Sequence, residues 1–254
     1  MLCNIELQKF FDWTAANKLS INFGRDKTYY ILHTFRNLDA SDLNIKINNN
    51  TLENLEEAMF LGVFIDSKLK YRSHIDYIAN KISKSIGIIF NLKKLKMPFK
   101  VLKQVYYSLV YSYLNYNACC YCSTYHTHLE RLVILQKRVI RFMNNVNPLA
   151  HTNPLFLSNG ILKIHDIYKL NVGLYMYDQR LSGQYTRDHD HDTRNRSDLL
   201  PNQARLTVCK HSLSVTGPNI WNSIPIEIRD APSRPSFKAR YKKYLLSCYV
   251  EQEI

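Results

Sequence analysis

At 254 residues the chain is long enough for one large domain or two small ones with a sizeable core. Its 46% hydrophobic content is ordinary for a globular protein, and seven glycines argue against a low-complexity tail. The 34 basic residues outweigh 21 acidic ones by +13, more than solubility needs, which favours a polyanionic partner, either nucleic acid or an acidic membrane surface.

The first residues, Met1-Leu2-Cys3-Asn4-Ile5-Glu6, lack the basic-then-apolar order of a signal peptide. A short amphipathic helix follows, with Leu7, Phe10, Phe11 and Thr14 on one side and an end near Asn17. Tyr29 to His33 and Asn44 to Ile47 read as short strands, with Asn48-Asn49-Asn50 as a turn. Phe60-Leu61-Gly62-Val63-Phe64-Ile65-Asp66 reads as a third strand, apolar almost throughout and therefore buried.

Helical periodicity then takes over. Ile75, Ile78, Ile82, Ile86 and Ile89 form one apolar stripe, with Lys81 and Lys84 off it and Lys93, Lys94 and Lys96 near the helix end. Pro98 suits the first turn of a second helix whose core face is Leu102, Val105, Tyr106, Leu109 and Tyr113. The run from Val105 to Cys122 is broken by Ser108, Ser112, Asn115 and Asn117, too polar for a membrane span. Tyrosines 106, 107, 111, 113 and 116 are candidates for stacking on sugars or bases, though most suit a core. A third helix begins near Thr127, with Leu129, Leu132, Val133, Gln136, Ile140 and Met143 on one side and Lys137, Arg138 and Arg141 on another. Ile164, Ile167, Leu170, Leu174, Tyr177 and Leu181 mark a fourth.

Residues 183–198 are polar and charged, as in an exposed linker. Beyond them come Gly217-Pro218-Asn219-Ile220-Trp221-Asn222, Ile224-Pro225 and a basic helix through Phe237, Tyr241 and Leu245. The fold expected is α+β: a small β-rich N-terminal part, a mainly helical bundle and a C-terminal extension.

The charge is uneven. Residues 67–146 hold fourteen Lys and Arg against Asp76 and Glu130, so +12 of the +13 lies in that stretch. A helix-end lysine is accounted for by the macrodipole. Twelve charges in eighty residues are better accounted for by phosphates.

Few constellations carry chemistry. A two-metal polymerase site needs converging carboxylates, and the sequence has no adjacent aspartate pair; Asp66 alone makes no such site. Cys119, Cys120 and Cys122 with His126 and His128 lie too close together for a closed zinc site and read as buried structural thiols. His189 and His191 among aspartates read as linker. Six cysteines without a secretory signal suggest free thiols in a reducing compartment, hence an intracellular protein of cytoplasm or nucleus.

Four blocks carry a resemblance. Phe11-Asp12-Trp13 with Asn17-Lys18-Leu19-Ser20-Ile21-Asn22 and Lys27-Thr28 is the first. Phe60 to Asp66, with Leu69, His74-Ile75 and Lys81-Ile82, is the second. Leu135-Gln136-Lys137-Arg138-Val139-Ile140-Arg141 is the third, and Gly217-Pro218, Trp221-Asn222, Ile224-Pro225 and Phe237-Lys238 are the fourth. In this order they resemble the C-terminal part of jockey-like non-LTR retrotransposon reverse transcriptases, nearly end to end.

The resemblance implies the end of a polymerase palm over 1–66, a helical thumb over 67–182, the linker, and a C-terminal extension over 199–254. It implies a primer grip at Phe60, Leu61 and Gly62. It also implies a template–primer surface at Lys81, Lys84, Lys93, Lys94, Lys96, Lys137, Arg138 and Arg141. The partners implied are an RNA template, an RNA–DNA duplex and the absent fingers and front palm, with no membrane. No catalytic residue, metal ligand or cofactor is expected in this chain, although Mg2+ is implied for a complete enzyme. The four residues from Phe23 to Asp26 lengthen the family's spacing, so no proton-donor role carries over to Lys27. A standalone RNA-binding module and an inert remnant of a decayed element remain the alternatives.

Overall fold

The computed structural model describes residues 2–24, 27–34, 43–181 and 198–250. The chain divides into two compact units, Met1–Tyr71 and Arg72–Ile254. Together their elements make an α+β, mainly helical protein.

The first unit begins with α1 (Leu2–Ala16). Among the described residues six short strands follow: β1 (Tyr29–Tyr30), β2 (Lys46–Ile47), β3 (Asn50–Thr51), β4 (Glu53–Asn54), β5 (Glu57–Phe60) and β6 (Val63–Asp66). They pair as β1 with β4 in parallel, and as the hairpins β2–β3 and β5–β6. Asn48 and Asn49 both take positive φ, 43° and 66°, so the expected asparagine turn closes β2–β3. The side chain of Asn4 ties α1 to this region, donating to Asn44 O and accepting from Lys46 N.

The single buried strand expected over 60–66 is instead half of a hairpin. Leu61 and Gly62 take φ of 46° and 79°, a two-residue turn that folds β6 back with Phe60 opposite Val63. Glycine makes that turn possible, and it overrides the apolar run. Phe60 and Leu61 are consequently 63% and 74% exposed, whereas Val63 is buried.

The second unit is built on α2 (Arg72–Lys94), α3 (Phe99–Tyr106) and α6 (His126–Asn144). Helix α2 buries the expected isoleucine stripe, together with His74, Ala79 and Ser85. Pro98 sits at the N-cap of α3. The next stretch departs from expectation: Leu102, Tyr106, Val110 and Leu114 are buried, and Val105, Leu109 and Tyr113 are only half-buried. A spacing of four drifts about 40° per step on a regular helix. The π-helical turn Tyr107–Tyr111, between α3 and α4 (Ser112–Asn115), is wider and takes up that drift.

After α5 (Ala118–Tyr121), α6 runs parallel to α2. Arg72 donates to His128 at one end, Arg131 pairs with Asp76 further along, and Lys93 reaches Phe142 and Asn145 at the other. Ser85 bonds the Leu109 carbonyl at 2.9 Å, joining α2 to the returning segment between them. Asn145 and Gly160 end α6 and α7 (Asn153–Asn159) in the left-handed conformation.

Helix α8 (Ile164–Leu181) then receives the C-terminal segment: α9 (Thr207–Lys210), α10 (Leu213–Asn222), α11 (Ile226–Arg229) and α12 (Arg234–Ser247). Phe237 lies between Tyr177 and Trp221, at centroid distances of 4.9 and 5.8 Å. Burying rings of this size contributes roughly 2–3 kcal/mol each. Gly217 lets Met176 approach, since a Cβ there would lie 2.6 Å from its sulfur. Asn222 pairs both ways with the Leu199 backbone, and buried Arg229 meets Asp198 at 3.0 Å. The segment from 199 and the helices before it thus share one core. Apart from Asp198, the expected linker, with His189 and His191, lies outside the described residues.

Candidate nucleic-acid interface

Where α2 and α6 run side by side, their outer edges leave a cleft of about 270 Å³ lined by Ser83, Ile86, Gly87, Phe90, Arg138 and Phe142. Ile86 closes the floor. Gly87 sits in mid-helix, and a Cβ there would meet nothing within 4 Å. Glycine at an exposed helix interior costs about 1 kcal/mol against alanine. No packing neighbour accounts for it here.

Two rings form one wall, Phe90 and Phe142, with centroids 5.7 Å apart. Both carry cations: Lys94 Nζ is 4.7 Å from the Phe90 centroid, and the Arg138 guanidinium is 5.4 Å from that of Phe142. Nearby, Arg131 pairs with Asp76. The cleft is therefore cationic at its rim and apolar in its wall, suited to a sugar–phosphate edge.

The eight cations expected to share a surface separate into groups. Arg138 and Lys94 frame the cleft, Lys84 stands exposed on the neighbouring face of α2, and Lys96 is exposed just past its end. Lys81 lies about 120° around the helix from Gly87, its ammonium 5.2 Å from the Tyr77 ring centroid. Lys93 and Arg141 act on backbone: Lys93 donates to Phe142 O at 2.8 Å and Asn145 Oδ1 at 2.6 Å, and Arg141 Nε to Ala150 O at 2.9 Å. Lys137 points elsewhere, beside Lys163.

Sequence reasoning missed Gly87, Phe90 and Phe142. The available signal was a glycine inside a strongly periodic helix. Of the tyrosines expected mostly in the core, Tyr106 is fully buried, Tyr107 and Tyr111 are half-buried and pack edge-on at 5.2 Å, Tyr113 is half-buried and Tyr116 is exposed.

Asp66 is a structural residue. Its carboxylate accepts the backbone N–H groups of Lys68, Lys70 and Tyr71 at 3.0, 3.0 and 2.6 Å, holding a turn in which Leu69 and Tyr71 take positive φ. With those oxygens engaged and no adjacent aspartate pair in the sequence, the residues present do not fit a two-metal centre. Among the described residues no three His, Cys, Asp or Glu side chains could hold a metal ion. Burial pushes the Cys119 thiol up to about 11 and the Cys122 thiol to about 12, away from thiolate chemistry. All six cysteines are free.

The described residues thus define a mainly helical protein with a cationic, aromatic-walled cleft. Compared with known proteins, the chain is similar to the RNA-directed DNA polymerase from mobile element jockey of Drosophila funebris. The two are 26% identical over 179 residues, which cover 69% of this chain and 19% of that protein. The chain thus spans about a fifth of that relative, a distant and partial likeness to a retrotransposon polymerase. No family model matches, and no solved structure does. Among the described residues no helix is long and apolar enough to cross a membrane.

Proposed function

We propose that this chain is the template–primer-gripping part of a retrotransposon RNA-directed DNA polymerase. The Arg72–Ile254 unit acts as the thumb, and Met1–Tyr71 as the end of the palm. The observation that carries the reading is the α2/α6 cleft: an unfilled glycine, two rings and two cations along parallel helices. Its chemistry is that of a surface for a duplex backbone, and the relative is an RNA-directed DNA polymerase. In this reading Phe60, Leu61 and Gly62 touch the primer strand, and the exposure of Phe60 and Leu61 at a hairpin turn supports it. The exposed Ile5, Phe10, Trp13 and Met59 of the first unit fit a palm segment that rests against further protein. The binding partner is an RNA–DNA duplex. Nucleotide addition requires carboxylates that this sequence does not place together.

The test is fluorescence anisotropy of a labelled RNA–DNA duplex between 50 and 200 mM salt. Binding should weaken steeply with salt, and K84A/K94A/R138A should lower the log–log slope by about 2–3, the loss of about three phosphate contacts. Salt-independent binding, or an unchanged slope in the variant, overturns the reading.

A further inference from the structure

Helix α2 ends in a tight turn that stays in solvent. Lys96 N donates to Lys93 O at 2.8 Å and Met97 N to Leu92 O at 3.2 Å, the paired bonds that close a helix C-terminus around one left-handed residue. That residue is Lys96, with φ of 55°, where glycine is the usual occupant. Pro98 then opens α3, its carbonyl accepting from Val101 N at 2.9 Å. Every residue from Lys94 to Lys100 is exposed.

Much of this turn is apolar. Leu95 is 68% exposed, Met97 41% and Phe99 38%, with Pro98 between the last two. In such turns the residue after the left-handed one commonly packs back on the helix. Met97 does so only in part. Exposed lysines at 94, 96 and 100 interleave with the apolar side chains. The surrounding sequence does not offset them, since residues 77–129 hold seven lysines and no Asp or Glu. An apolar tip set among cations matches a ligand that offers apolar surface between rows of negative charge.

The minor groove of a nucleic-acid duplex has that form, with sugars and base edges inside and phosphates along both rims. Leu, Met, Pro and Phe are among the side chains that enter minor grooves. A helix end is roughly 10 Å across, broader than the roughly 6 Å minor groove of B-form DNA. The wide, shallow minor groove of an A-form duplex admits it.

We propose that the turn from Lys94 to Lys100 docks in the minor groove of an RNA–DNA duplex, with Leu95, Met97 and Phe99 against the groove and Lys96 and Lys100 on its phosphates. Lys94 begins the turn and also lies over Phe90 in the cleft wall, so the two surfaces adjoin. The proposal rests on the nucleic-acid reading of the chain. It adds two properties that cations alone do not supply: an apolar contribution that salt does not screen, and a preference for A-form geometry.

The experiment uses the full chain with labelled RNA–DNA and DNA–DNA duplexes of one sequence, titrated at several salt concentrations. L95A/F99A removes exposed side chains and should leave the fold intact. It should weaken RNA–DNA binding about tenfold at every salt concentration with the slope unchanged, and DNA–DNA binding less. K96Q/K100Q should instead lower the RNA–DNA slope by about 2. Unchanged RNA–DNA affinity in L95A/F99A overturns the proposal, and an equal loss on both duplexes overturns the groove assignment. Phosphatidylserine vesicles provide the membrane comparison: vesicle binding that L95A/F99A abolishes while duplex affinity stays the same also overturns it. If K84A/K94A/R138A lowers the slope and L95A/F99A changes nothing, the cleft reading stands and this one falls. Wild-type protein that binds neither duplex sinks both.

Discussion

Gln136 donates to the Tyr106 hydroxyl at 2.9 Å inside a core where both residues are at most 1% exposed. The same amide satisfies Leu162 O and Ile164 N, so a polar residue on an otherwise apolar helix face has all three partners it needs. Burial raises the Tyr106 hydroxyl well above its usual range, so it remains a neutral donor and acceptor.

Replacing Gln136 with Leu keeps the volume and strands three polar groups. The expected cost is about 3 kcal/mol, measured as a lower urea midpoint at unchanged m-value. Gln136→Glu should also destabilise, because a buried carboxylate cannot donate to Tyr106 and Leu162. Stability equal to wild type in the leucine variant would show the network to be dispensable.

Two glycine substitutions should move stability in opposite directions. Gly87→Ala gains helix propensity in open space and should stabilise by about 1 kcal/mol. It should also weaken duplex binding, because its methyl narrows the cleft. Gly173→Ala places a Cβ 2.7 Å from Tyr241 Cε1 and 3.3 Å from Ile224 Cδ1, inside the core shared by α8 and α12. The expected net loss is roughly 1–2 kcal/mol, read from thermal unfolding.

His74 gives the fold an acid limit. It is 2% exposed, neither ring nitrogen has a hydrogen-bond partner, and the Tyr121 ring meets it edge-on at 5.2 Å. Burial lowers its pKa below the usual 6.5, so the folded state binds this proton less readily than the unfolded chain. Stability from this site is fully present above the unfolded value and is lost as pH falls below it toward the folded value. His74→Phe should stabilise by roughly 1–2 kcal/mol at pH 8, with the advantage widening below about pH 6.5. Parallel pH profiles of the urea midpoint for the two proteins would contradict this. The comparison also separates His74 from His165, which is lowered in the same direction by burial and by His126.

Much of the fold was legible from periodicity. The isoleucine stripe of α2, the Leu129-to-Met143 face of α6 apart from half-buried Val133, and the Phe237–Tyr241–Leu245 face of α12 lie buried. Repeats of three and four specify a helix and its inner side without reference to anything distant. Two local signals were outweighed by their surroundings. The apolar run over 60–66 suggested one strand, yet a positive φ at Gly62 made it a hairpin. The tyrosine-rich run after Pro98 suggested one core face, yet the π turn moved burial to Val110 and Leu114.

The candidate site was legible only as a quantity of charge. Composition and order along the chain determined that residues 67–146 carry +12 of the +13 excess positive charge, because ionisation is a local property. Which cations act together was decided by tertiary packing. Lys137 and Arg138 are neighbours in sequence, but about 100° of helical rotation sends one toward Lys163 and the other into the cleft with Phe142. Lys93 has the same chemistry as Lys94, yet it is occupied by the end of α6. Lys93 meets Phe142 O and Asn145, 49 and 52 positions away, and only the folded chain brings such partners together.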